Sequence, residues 1–211
     1  MFTRLVFIFS ILFAQSSLSD SFEQAIVEAA IERTNHDIRY DGSYFSIEYP
    51  NGDVPDNIGV CTDVIIRSYR ATDTDLQKLV HEDMSKNFAI YPSKRIWGLN
   101  HTDRNIDHRR VPNLQTFFSR HGLKLPISSK KQDYAPGDIV TWMLAGNFPH
   151  IGIVTDQMST ATGNPLIVHN IGAGPRIEDI LFKYTITGHF RYVPKYYNNH
   201  SKDAAKPAHL L

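Results

Sequence analysis

The apolar positions of this chain recur at two different periods, one in each half. Phe22, Ala25, Ile26, Ala29 and Ala30 fall on one face of a helix expected from Ser21 to about Arg33. Ser21 and Gln24 stand at capping-box spacing at its start. Val64, Ile65 and Tyr69 mark a second helix over Cys61 to Tyr69. Leu76, Leu79, Val80, Met84 and Phe88 mark a third, from Asp75 to Phe88, with Thr74 and Gln77 as its expected cap. Pro112 suits the first turn of a fourth helix, which runs through Leu114, Phe117 and Phe118 and stops at Gly122. The second half reads as strands: Ile139 to Leu144, His150 to Thr155, Leu166 to His169 and Ile186 to Val193, with turns at 135–138, 145–147 and 172–175. Between these regular stretches, 35–59 is polar and turn-rich with a short strand expected near Tyr44 to Tyr49, and 89–111 is a long irregular segment. Helices first and hairpin-linked strands last predict an α+β fold with an antiparallel sheet.

The first residues obey neither period. Arg4 precedes the apolar run Leu5 to Phe13, and small residues follow through Ala14, Ser16, Ser17 and Ser19. This is the pattern of a secretory signal peptide, 1–19, cleaved after Ala14, Ser16 or Ser19; an apolar run this short does not span a bilayer comfortably. The expected location is periplasmic or secreted, with no stable membrane span after cleavage. The remaining chain predicts one domain over 20–195 and a flexible polar tail over 196–211. Formal net charge is zero, with 22 basic and 22 acidic residues, which argues against a nucleic-acid partner.

Cys61 is the only cysteine, and exported domains usually use theirs in pairs. It stands where the second helix begins, where the helix dipole favours a thiolate. A cysteine nucleophile needs a base and an orienting group. His150 opens one expected strand and His169 ends the next, so pairing of the two strands brings both imidazoles to one edge of the sheet. The candidate site is Cys61 as nucleophile, His150 as base, and His169 or the adjoining Asn170 as orienter. A thiolate–imidazolium pair is the expected resting state. Helix-start amides and a tyrosine hydroxyl are the expected oxyanion donors. No cofactor or metal enters this chemistry. A rival reading uses His101, Asp103, Asp107 and His108 as zinc ligands, although carboxylates in such a loop more often pair with Arg104, Arg109 and Arg110.

Several stretches are longer than chance motifs: Gly59-Val60-Cys61-Thr62-Asp63-Val64, Asp75 to Met84, Asn105 to Leu114, Pro136 to Trp142, Pro149 to Val154, and Val168-His169-Asn170-Ile171-Gly172. In these the chain resembles a bacterial family catalogued as domain of unknown function 1287, over nearly all of 22–194. That family is similar in turn to the NlpC-type, papain-like cysteine peptidases that act on cell-wall peptides. The resemblance implies a papain-like core, N-terminal helices packed on a C-terminal antiparallel sheet, and the order Cys61, His150, His169. It also implies a positioning tyrosine twelve residues before the nucleophile, which is Tyr49. The chain departs from the NlpC-type pattern in having Val60-Cys61-Thr62 where Asp-Cys-Ser is usual, and in a long helical and loop insert at about 72–134 that would cover the cleft. The function implied is a cysteine hydrolase that cleaves an amide bond in peptidoglycan or peptide substrates. A non-catalytic cell-wall binding module is the alternative, beside the zinc-dependent hydrolase.

Overall fold

The computed structural model describes residues 21–195 and 197. The expected signal peptide and, apart from Lys195 and Tyr197, the tail beyond Pro194 lie outside the described residues. The first helix, α1, spans Phe22–Glu32; Ser21 Oγ accepts from the Gln24 amide at 3.2 Å, while the Gln24 side chain reaches Glu28 and not the cap. A two-residue strand follows, β1 (Arg39–Tyr40), which pairs in parallel with β2 (Ile58–Gly59). The chain then forms α2 (Cys61–Ala71), α3 (Leu76–Asn87), a short α4 (Ser93–Trp97) and α5 (Val111–His121).

Six strands complete the fold: β3 (Leu123–Lys124), β4 (Ile139–Leu144), β5 (Phe148–Met158), β6 (Pro165–His169), β7 (Arg176–Glu178) and β8 (Thr185–Arg191). They form one antiparallel sheet in the order β3-β8-β4-β5-β6-β7. The architecture is α+β.

Both sheet faces are covered. The helices bury Ile26, Ile65, Tyr69, Met84, Leu114 and Phe118 against Ile139, Ile151, Ile153, Val168 and Phe190. On the far face Val140, Trp142, Val154 and Ile167 pack beneath Tyr134, Ile180 and Leu181. Burial on both faces explains why Ile139–Leu144 is an unbroken apolar run and not an alternation. Trp142 is fully buried, and its indole N–H donates to Leu181 O at 2.9 Å. A large apolar side chain so buried contributes about 1.5–3 kcal/mol. Part of the expected insert is therefore core, since α3 and α5 pack in the same cluster as α1 and α2.

Two local expectations are corrected. No strand forms over 44–49: the Ile47 amide donates to Asn105 Oδ1, and Glu48 O accepts from the Gln77 side chain, so side chains take the place of a neighbouring strand. The cap of α3 is Asp75, which accepts from the Lys78 amide at 3.2 Å; Gln77 is buried and ties down the 48–52 segment instead.

Candidate functional site

Cys61 is the first residue of α2. Val60, at the cap position, has no side chain able to accept a hydrogen bond. Asp63 reaches back instead, and its Oδ2 accepts from the Val60 amide at 2.7 Å. The same carboxylate is gripped by Arg109, with Nε–Oδ1 and Nη2–Oδ2 both 2.9 Å, and both side chains are 3 % exposed. Thr62 Oγ1 donates to Arg109 O at 3.1 Å. A 3-10 turn at Asp107–Arg109 therefore locks the Cys61 end of α2. Gly59 permits this closeness: a Cβ there would lie 3.3 Å from Asp63 Oδ2.

The two histidines meet as the strand order predicts. His150 Nε2 lies 3.0 Å from His169 Nδ1, with the rings edge to face. Both are buried, and His150 also packs on Trp142, its register partner on β4. Gly152 makes room, because a Cβ there would stand 2.6 Å from Ile167 Cγ2 and 3.2 Å from His169 Cβ. Glu178, on β7, brings its carboxylate to 2.9 Å from His169 Nε2, off the line of the ring N–H, so that nitrogen has no aligned hydrogen bond. Asn170 does not approach His150: its amide donates to Gly59 O at 3.4 Å, and its oxygen accepts from the Gly172 amide. It pins the end of β6 to the residues before Cys61.

The sulfur of Cys61 faces the backbone amides of Ile151, Thr62 and Cys61 itself, and Ile151 is the neighbour of His150. Among the described residues no hydrogen bond joins the thiol to the imidazole. Burial, and then the charge of Asp63, push the thiol up to about 12, outweighing the amides that favour the thiolate. Burial, and then His169, hold His150 down at about 3. Burial also holds His169 below its usual value, against the pull of Glu178. The expected thiolate–imidazolium pair is thus replaced at rest by a neutral thiol and a neutral imidazole. Desolvation outweighs the helix dipole, which acts only within the first turn.

Tyr49 is not at the site. It packs on His81 with ring centroids 5.2 Å apart, beneath Arg104. A tyrosine on the Cys61 side of the fold is Tyr40, placed next to Gly59 by the pairing of β1 with β2 and close enough for its phenol to feel the Cys61 and Asp63 charges. Burial, then Cys61 and Asp63, push its phenol up to about 12, so it keeps its O–H at neutral pH. Twelve-residue spacing failed because the tyrosine's place depends on a two-residue parallel ladder. Arg109 and Glu178 gave no local signal either.

The expected zinc ligands do not converge. Asp103 and Asp107 hold backbone amides within their own loop, Asp107 also pairs with Arg110 at 3.1 Å, His101 is exposed, and His108 is buried. Among the described residues no group of three or more His, Cys, Asp or Glu is arranged to hold a metal ion. An open groove of about 590 Å³ lined by Tyr91, Lys94, Gln115 and Thr187 contains none of the candidate catalytic residues.

Fold and site together define an α+β protein with a helix-start cysteine beside a pair of hydrogen-bonded histidines on adjacent strands. The chain belongs to the family described as domain of unknown function DUF1287, whose model matches residues 27–192. A relative described as the uncharacterized protein YijF of Escherichia coli (strain K12) is 52% identical over 171 residues, covering 81% of this chain and 82% of that protein. A solved structure, NlpC1 from Trichomonas vaginalis, is similar at 16% identity with a TM-score of 0.42, covering 82% of this chain. The match spans less than half of that structure's length, 44%.

Proposed function

We propose that this protein is an exported cysteine hydrolase that cleaves an amide bond in peptidoglycan peptides. The observation that carries the reading is the 3.0 Å contact between His150 and His169 on strands packed against the start of α2. In this scheme Cys61 Sγ–H gives its proton to His150 as the sulfur attacks the substrate carbonyl. Helix-start amides and the Tyr40 hydroxyl stabilise the oxyanion. The imidazolium then protonates the leaving amine, and the acyl-enzyme is hydrolysed by water activated at the same nitrogen. Because thiol and imidazole are neutral at rest, the proton moves during attack, as in a serine hydrolase, and not beforehand. Peptidoglycan as substrate and the periplasmic or secreted location rest on the sequence resemblance and the leader-like first residues.

The decisive experiment digests purified murein sacculi with the wild type and with Cys61→Ala, followed by mass analysis of the soluble products. New stem-peptide fragments from the wild type alone are the expected outcome; identical product patterns refute the reading. One observation favours a second reading, a cell-wall binding module without turnover: Cys61 is 5 % exposed. Sacculus co-sedimentation without any released fragment would select it.

A further inference from the structure

Two buried imidazoles in contact admit more than one arrangement of protons, and only one of them leaves a base for Cys61. In the first, His150 Nε2–H donates to His169 Nδ1, and His150 Nδ1 keeps its lone pair. In the second, His169 Nδ1–H donates to His150 Nε2, and His150 carries its proton on Nδ1, where it cannot accept one from a thiol. The 3.0 Å contact alone does not choose between them.

Glu178 chooses. In the second arrangement the electron-rich, unprotonated His169 Nε2 stands 2.9 Å from a carboxylate oxygen, which is repulsive whatever the exact alignment. In the first, that nitrogen carries a proton toward the carboxylate. His169 is 1 % exposed, and its Nε2 is a buried polar atom without an aligned partner, a costly state. The Glu178 side chain is 45% exposed, so a small rotation into line meets little packing. The carboxylate also borders an open cleft of about 640 Å³ lined by Ile38, Gly174, Pro175 and Arg176, so it is reachable from solvent.

We infer that Glu178 is a positioning residue that fixes the tautomers of His169 and His150 in series, so that His150 Nδ1 is the free base. This rests on the hydrolase reading for its purpose but not for its test. The groups that face the pair are Glu178 on β7 and Lys183 in the segment before β8. No bond is broken at rest; the carboxylate fixes where two existing protons sit.

The test reads the protons directly. In ¹⁵N-labelled full-length protein at neutral pH, long-range proton–nitrogen correlation reports which ring nitrogen of each histidine is protonated. The wild type is expected to carry protons on Nε2 of both His150 and His169. Glu178→Ala is expected to give a mixture at His169, and Glu178→Gln, whose amide oxygen can still accept, to restore the wild-type pattern. Glu178 lies on an edge strand at the surface, and thermal melting checks that both variants fold. A wild-type His169 protonated on Nδ1, or a Glu178→Ala variant with unchanged tautomers, overturns the inference. On the hydrolase reading, Glu178→Ala also lowers kcat/KM at least about tenfold, the scale of a charge-assisted hydrogen bond, with rescue in Glu178→Gln. Because the nitrogen shifts do not need turnover, a protein that cleaves nothing would refute the hydrolase alone.

Discussion

Arg109→Gln removes one half of the ion pair that closes the start of α2. Asp63 is then a carboxylate 3 % exposed that has lost two contacts of 2.9 Å. It keeps the Val60 amide at 2.7 Å and the positive end of α2. The reciprocal Asp63→Asn strands a guanidinium with only long contacts to carbonyls, Ser43 O at 3.3 Å and Asp41 O at 3.5 Å. Breaking a buried pair from one side costs about 3–5 kcal/mol. The better-compensated Arg109→Gln belongs at the lower end of that range and Asp63→Asn at the upper. For a domain of this size the lower figure corresponds to roughly 6–12 °C in Tm. The double variant Asp63→Asn/Arg109→Gln leaves a neutral amide pair and should lose less than the two singles combined, by about 2 kcal/mol or more. Urea denaturation followed by circular dichroism measures all four proteins. Singles within about 1 kcal/mol of wild type, or a strictly additive double, would show that the pair does not hold this end of the helix.

Three further outcomes follow from the same geometry. Iodoacetamide at pH 7 should label Cys61 at least about a hundredfold more slowly than a free thiol of pKa ≈ 8.5, because the thiolate is scarce and the sulfur covered; equal rates would refute the closed resting site. Stability should fall as pH drops from about 6.5 toward 3. His108 and His150 are both held at about 3 in the fold, so the unfolded chain binds more protons across that window. Each contributes a slope of up to about 1.4 kcal/mol per pH unit, and a flat urea titration would contradict it. Gly152→Ala should displace His169 and destabilise by about 1–3 kcal/mol in urea denaturation; a variant as stable as the wild type would remove the steric argument.

The sequence carried the helices of the core almost to their ends, because α1, α2, α3 and α5 each bury one face and leave the other polar. It also brought His150 beside His169, since only a short loop separates β5 from β6. What it hid were partners that meet across long stretches of chain. Tyr40 owes its place to a two-residue parallel ladder, Asp63 to an arginine 46 residues away, and His169 to a carboxylate on a three-residue strand. Such elements are too short to leave a periodic trace. The resting ionisation differs from the sequence expectation for a related reason: a helix start is visible in sequence, whereas the depth at which it is buried is not.

The grip of Arg109 on Asp63 also sets an order of construction. During synthesis the helix that presents Cys61 emerges well before its lock, because Arg109 lies 46 residues later and Asn170 reaches back to Gly59 over 111. A thiol not yet covered by its fold has the exposure and the ordinary pKa of a free cysteine. Only when the sheet closes over the start of α2 is the sulfur withdrawn to the 5 % exposure it has in the finished fold.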